Sequence, residues 1–351
     1  MYTTINSAQA KSVIDSEQLL AAYRDAQAKA QDFVGGMHWK NVPGLNKEDG
    51  KPVERLYLYR THDRKGNAKS MGPKSVQTEE IYSRFTTRKA ELTERLASLK
   101  AQLATQSKIN AAYRAGHVPN AVADICVELD RAGLLDKNIT VIGTNAMHVY
   151  EAMAGVRFPS DIMATVDLDL LWNHTSKLSI ASSQHVKEEG ILGLLKRADK
   201  SYEIMGHQRF RAVSKSGYMV DLIRQMPNPP WADEPDRFFE QDMVATDIWN
   251  MKWMLGAPRV VQPVVAEDGR AVMMSSPDPR AFAMFKLWLS TAEDREPMKK
   301  IRDAEQARAV IRLIEDRMPH LARAWPALKS FPQDVVDRAM EEVQRERQRG
   351  G

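Results

Sequence analysis

Cysteine is nearly absent from this chain: Cys126 stands alone among 351 residues. A single cysteine excludes a disulfide framework within the chain and a cysteine-based zinc site. It falls on the apolar face of an expected helix, so a structural role in a cytoplasmic protein is the expectation. Long hydrophobic runs are missing too. None approaches the roughly 20 residues that cross a bilayer, and MYTTINSAQAKSV lacks the basic-then-apolar pattern of a secretory signal. No membrane partner is expected. Charge of one sign is also scarce: the net charge of +4 is too mild to argue for nucleic acid by itself. Repeats and low-complexity tracts are absent. What remains is ordinary globular composition, 43% hydrophobic and 27% charged, in a chain longer than most single domains need.

The distribution of charge says more than its sum. Residues 36–115 are rich in Lys and Arg, and 47–74 are basic and punctuated by glycine. Such a surface can meet a nucleic-acid backbone, or it can be a solvated face. Ser16 is a candidate N-cap for a helix through EQLLAAYRDAQAKAQDF, ended by Gly35-Gly36. MHWKNVPGLNKEDGKP reads as irregular. RLYLYR alternates like a strand, DRKGN like a turn, and AKSM like a returning strand, which makes a basic β-hairpin over 55–71 carrying Tyr57 and Tyr59. The tyrosines suit base stacking or cross-strand packing. Ser75 then opens a long helix with a seam of Leu92, Leu96, Leu99 and Leu103, expected to pack on the chain's own body. The sequence does not set the oligomeric state.

From residue 118 the pattern becomes mixed. A helix over 119–132 ends at Gly133, NITVIG is a strand, NAMHVYEAMA a helix stopped by Gly155, and ATVDLDLLW a strand. EEGILGLLKRA is helical, HQRFRAVS and YMVDLIRQM form a hairpin, and RVVQPVV with AVMM another. PRAFAMFKLWLS and 297–317 are helices, and the charged tail MEEVQRERQRGG is expected to fray. The expected division is a helical N-terminal region at 1–117, an α/β unit at 118–276 and a helical region at 277–351.

The chemistry concentrates in ATVDLDLLW. Strand alternation points Asp167 and Asp169 the same way, with Val166, Leu168 and Leu170 opposite. Aspartate is disfavoured in strands, and two on one face repel each other. A hard divalent cation resolves that repulsion; the plainer reading is an exposed strand face. Asp221 in YMVDLIRQM is a third carboxylate, for a shared metal or for a salt bridge to Arg209, Arg211 or Arg224. Gly143-Thr144, at the passage from strand to helix, offers backbone N–H groups to phosphate, although alone it reads equally as a turn and cap. His174 and His185 are too scattered for a zinc site. His148, on the helix after the turn, reads as a packing or substrate contact.

Gly-Thr at a strand–helix turn, Asp-x-Asp on the next strand and a lone Asp on a later strand resemble the nucleotidyltransferase fold of the DNA polymerase beta superfamily. More narrowly, GTNAMHVYEAMAG followed by ATVDLDLLW resembles uncharacterised bacterial stand-alone nucleotidyltransferase-like proteins, some relatives of which act as toxins. The resemblance covers roughly residues 138–310. It implies an α+β fold with a mixed sheet, flanking helices and a C-terminal helical bundle. By the same resemblance, Gly143, Thr144 and Asn145 hold the triphosphate. Asp167, Asp169 and Asp221 bind Mg²⁺ or Mn²⁺ and carry catalysis, and Lys286 reaches the phosphates. A lysine snorkelling from an amphipathic helix is the plainer reading of Lys286. Asp303 and Gln306 match a further family pattern of unassigned role. Thr144 and Asp167 stand farther apart than in the compact superfamily pattern, and the excess GVRFPSDIM reads as an inserted loop.

The implied activity is transfer of a nucleotide from an NTP, such as ATP, to an acceptor hydroxyl on RNA (a tRNA end above all) or on a protein. The alternative is a nucleic-acid-binding or toxin–antitoxin-type module with a degenerate site.

Overall fold

A computed structural model describes residues 2–45, 52–62, 67–135, 138–173, 184–231 and 241–350. The protein is α+β and forms two compact units, residues 14–106 and residues 1–13 with 107–351. Among the described residues no helix is long and apolar enough to cross a membrane.

In the smaller unit, strands β2 (Gly36–Leu45), β3 (Pro52–Thr61) and β4 (Ala68–Pro73) form an antiparallel sheet in the order β2-β3-β4. Residues 37–45 of the stretch expected to be irregular are therefore a strand, 46–51 lie outside the described residues, and the expected hairpin supplies the other two strands of a three-stranded sheet. Pro43 and Gly44 hid the strand at 37–45. Proline removes a ladder donor, which an edge strand such as β2 tolerates. Of the expected turn DRKGN at 63–67, residues 63–66 lie outside the described residues. Tyr59 stands opposite His38 and stacks on its ring at 6.1 Å, with the Lys40 amine 5.9 Å from the tyrosine ring. Helix α1 (Ser7–Gln31) starts nine residues before Ser16, which is buried inside it. The cap is Asn6: its side chain accepts from Gln9 N at 2.9 Å while the Gln9 side chain accepts from Asn6 N at 3.1 Å. Helix α2 (Val76–Ala112) opens where Ser75 caps Thr78 N. Leu92 and Leu99 of its seam are buried within the chain.

The larger unit is built on a six-stranded mixed sheet: β5 (Ile139–Ile142), β7 (Asp167–Trp172), β10 (Met219–Gln225), β9 (Gln208–Val213) and β8 (Glu203–Met205) in that order, with β11 (Thr246–Ile248) also pairing β10. The chain's β7 and β10 run parallel, and β5 is antiparallel to β7. Helix α3 (Asn120–Arg131) buries Val122, Ile125, Cys126 and Leu129, the i, i+3, i+4, i+7 stripe of an amphipathic helix. Burial pushes the Cys126 thiol up to about 12, which keeps it an inert packing residue. Helix α4 (Met147–Ala154) ends at Gly155 in the left-handed conformation.

The excess segment after Gly155 is not a loop. Strand β6 (Val156–Arg157) pairs with β1 (Thr3–Thr4), and α5 (Ser160–Met163) follows, with Val156, Phe158 and Met163 buried. After α6 (Gln184–Ala198) and α7 (Met251–Leu255), β12 (Arg259–Val265) and β13 (Ala271–Pro277) make the second expected hairpin.

Helix α8 (Pro279–Thr291) is capped by Asp278, which accepts from Arg280 N at 2.8 Å. It packs on α9 (Pro297–Arg317). The short α10 (Pro319–Ala322) leads to α11 (Gln333–Gly350). Residues 340–350 of the tail expected to fray are thus the end of α11, which packs on α8 and α9 and buries Val335, Val336, Ala339 and Val343. That stripe is thin, and the surrounding charges disguise it.

Candidate functional site

Leu168 and Leu170 are fully buried on one face of β7, so alternation turns Asp167 and Asp169 to the other face, both half-buried. In the parallel register with β10, Asp221 lies directly beside Asp169. On the opposite side, Ile142 of β5 is the partner of Asp169, so Gly143 follows immediately against that carboxylate. A Cβ on Gly143 would stand 2.3 Å from Asp169 Oδ2. Gly143 also has φ 64° and ψ −156°, a region reserved for glycine. Three aspartates from two strands and the strand–helix turn thus share one end of the sheet.

Each element of this cluster is held in place. Asn145 Nδ2 donates to Asp167 O at 2.7 Å, tying the turn to β7. The Thr165 hydroxyl donates to Asp167 Oδ1. Thr144 Oγ1 accepts from Arg302 Nη2 at 2.9 Å and from Gln306 Nε2 at 3.0 Å. Gln306 and Arg302 also donate to Ile162 O at 2.8 Å and Ala164 O at 2.6 Å. The role of Gln306 is thereby assigned: it pins the turn and the α5 segment to α9.

Asp221 is engaged by Arg211, whose Nε and Nη2 donate to the two carboxylate oxygens at 2.7 and 2.6 Å. Of the three arginines weighed for that contact, Arg224 pairs with Asp247 and Arg209 donates to Asp242 O. Lys286 does not snorkel: its buried amine donates to Asp303 Oδ1 at 2.6 Å, and Arg295 donates to Asp303 Oδ2 at 2.8 Å. Arg295 and Arg302 escaped sequence reasoning. The signal was the run Arg302, Asp303, Gln306, whose helical spacing puts all three toward the site.

Electrostatics single out Asp169. Burial raises its pKa to about 7, with further pushes from Asp167 and Asp221 and partial relief from Lys286 and Arg295. Burial also lowers the pKa of Lys286, against the pull of Asp303. Asp167, Asp169 and Asp221 are hard oxygen donors short of positive charge, with Arg211 on both oxygens of Asp221; their oxygens do not all lie within 4.8 Å of one another, so an ion would have to draw them together. That donor set fits Mg²⁺ or Mn²⁺. The missing side chain at Gly143 is what lets the Asp169 carboxylate pack against the turn.

Lys286→Met is expected to destabilise the fold by about 3 kcal/mol, because it leaves Asp303 buried with half its neutralisation. Urea unfolding checks this; an unchanged midpoint would mean that Asp303 does not depend on the amine.

A pair of carboxylate-bearing strands beside a glycine-led strand–helix turn offers oxygen donors to a hard cation and backbone N–H groups to an anion. A family model described as nucleotidyltransferase matches residues 120–329, and the chain belongs to that family. The matched span holds every residue of the site described above. No curated protein and no solved structure matches the chain.

Proposed function

We propose that the chain transfers a nucleotide from an NTP to an acceptor hydroxyl, with Asp167, Asp169 and Asp221 holding divalent metal and the palm-like unit at 118–276 backed by the helices of 277–351. The observation that carries this reading is the register that sets Asp221 beside Asp169, with Asp169 against Gly143. Bound Mg²⁺ or Mn²⁺ supplies charge neutralisation at the transferring phosphate and acidifies the acceptor hydroxyl. The chain's own residues supply position. Gly143 admits the phosphates close to the turn, and Thr144, with both acceptor sites of its oxygen taken by Arg302 and Gln306, has its proton to donate to them. Asn145 fixes the distance between that turn and Asp167. Lys286 and Arg295 lend positive potential to Asp169 from their seats on Asp303. For Asp221 to act as a ligand, Arg211 gives up its bidentate contact and can turn toward phosphate, which matches its fork geometry. The acceptor is RNA, with a tRNA end first, or a protein side chain.

The second reading is a nucleic-acid-binding or toxin–antitoxin-type module with a degenerate site. One observation favours it: Asp221 is already neutralised by Arg211. Incubation with each α-³²P-labelled NTP, Mg²⁺ and total RNA or cell lysate separates the two. Label covalently on RNA or protein is expected. RNA retention with no transfer, under either Mg²⁺ or Mn²⁺, selects the second reading.

The raised pKa of Asp169 gives metal binding a pH dependence of known sign. Below about pH 7 a proton occupies the carboxylate and competes with the cation. Mn²⁺ affinity, followed by electron paramagnetic resonance, is expected to fall more than about tenfold between pH 7.5 and 5.5 and to level off above pH 8. A flat profile would remove Asp169 from the ligand set.

A further inference from the structure

We propose a second cation site, separate from the aspartate cluster, in which His117, His148 and Glu151 bind a divalent transition metal of the zinc class. His148 and Glu151 lie three residues apart on α4 and so share a face of that helix. His117 comes from the segment preceding α3, and its backbone N–H is fixed by Val265 O of β12 at 3.0 Å. The His148 Nδ1 atom is 2.9 Å from Glu151 Oε2, and His117 Nδ1 is 3.0 Å from the same oxygen. A ligand atom from each of the three residues lies within 4.8 Å of the other two. Tetrahedral zinc with bonds of roughly 2.1 Å needs ligand atoms about 3.4 Å apart. Small side-chain adjustments therefore close the site.

Three further observations point the same way. Two imidazoles and one carboxylate are the borderline-soft donor set of Zn²⁺, Co²⁺ or Ni²⁺ and a poor set for Mg²⁺. The other oxygen of Glu151 accepts from Phe158 N at 2.7 Å, the kind of outer support that orients a metal-binding carboxylate. A cavity of about 50 Å³ borders all three residues and is walled by Ile5, Val13 and Val265. It leaves space for a fourth, non-protein ligand, since one water takes about 30 Å³ in the liquid. His117 is one-third exposed and marks the entry side. Arg157 is a nearby cation: its guanidinium donates to Arg114 O and also interacts electrostatically with Glu151.

The bound ion would clamp the 117 segment to α4, the helix that the Gly143-Thr144 turn leads into. The site differs from the aspartate cluster in both residues and donor chemistry, so each can fail without the other.

Co²⁺ titration of the full chain followed by visible absorption tests the proposal, with Asp169→Asn as the background to silence the aspartate cluster. One equivalent of Co²⁺ is expected to give the intense ligand-field bands of a four- or five-coordinate nitrogen-containing site. His117→Gln and His148→Gln should each weaken binding at least about tenfold. His117→Gln is the decisive variant because that side chain is partly exposed and circular dichroism can verify its fold. Unchanged Co²⁺ affinity in His117→Gln, or bands that vanish in the Asp169→Asn background, would overturn it.

Discussion

Asp169→Asn is expected to lower nucleotide transfer by more than about 10³-fold, some 4 kcal/mol of transition-state stabilisation, and at the same time to make the metal-free protein more stable. The two effects have one cause. Asp169 sits between Asp167, Asp221 and the Gly143 turn, where burial and like charge raise its pKa from 3.8 to about 7. A carboxyl whose folded pKa is raised holds its proton more tightly folded than unfolded. Its contribution is therefore most favourable below about pH 4 and is lost as pH rises through about 7. Above pH 7 the folded state carries an unneutralised charge, with a cost of up to roughly 4 kcal/mol. Asparagine keeps the shape and removes the charge. Thermal unfolding in EDTA at pH 5.5 and pH 8 should show the wild type losing stability across that interval relative to Asp169→Asn. A variant that still transfers nucleotide, or that unfolds more easily than wild type at pH 8, contradicts this account.

The second large effect is expected from Gly143→Ala. The added methyl would stand 2.3 Å from Asp169 Oδ2 and 3.3 Å from its Cγ, so the carboxylate must move. The backbone at φ 64°, ψ −156° adds strain of about 2 kcal/mol. A ligand displaced by an ångström costs about 10²-fold in rate. Steady-state kcat/KM is expected to drop by about that factor, with a lower urea midpoint. Gly133→Ala is the matched control: Gly133 also has positive φ, but an added Cβ would meet nothing within 4 Å. It should lose stability and keep activity. Equal activity losses in both variants would trace the effect to backbone strain rather than to Asp169.

What the sequence disclosed follows how local each signal is. α3 and α9 were legible because their burial follows a period of 3.6, and Asp167–Leu170 of β7 because it alternates; β10 and α8, buried along most of their length, were legible as apolar runs. β2 was obscured by Pro43 and Gly44, which an edge position accommodates. The amphipathic stripe of α11 is four small apolar residues within a run of charges, and only its packing on α8 and α9 shows that the stripe suffices. At the site, alternation alone placed Asp167 and Asp169 together. The choice of Arg211 over Arg209 and Arg224 needed the register of the β9–β10 hairpin, in which Arg211 is the direct partner of Asp221. The roles of Asp303 and Gln306 were invisible because their partners Thr144 and Ile162 lie well over 100 residues away for Gln306, and the Lys286 contact depends on how α8 meets α9. His117 meeting Glu151 across 34 residues is of the same kind.

Crystals grown with Mn²⁺ and a non-hydrolysable NTP, with anomalous scattering collected at the manganese edge, give the most direct measurement. The account predicts a manganese peak about 2.1 Å from oxygens of Asp167 and Asp169, with Arg211 released from Asp221. Manganese absent from those carboxylates, with the Arg211–Asp221 pair intact and nucleotide bound elsewhere, would contradict it.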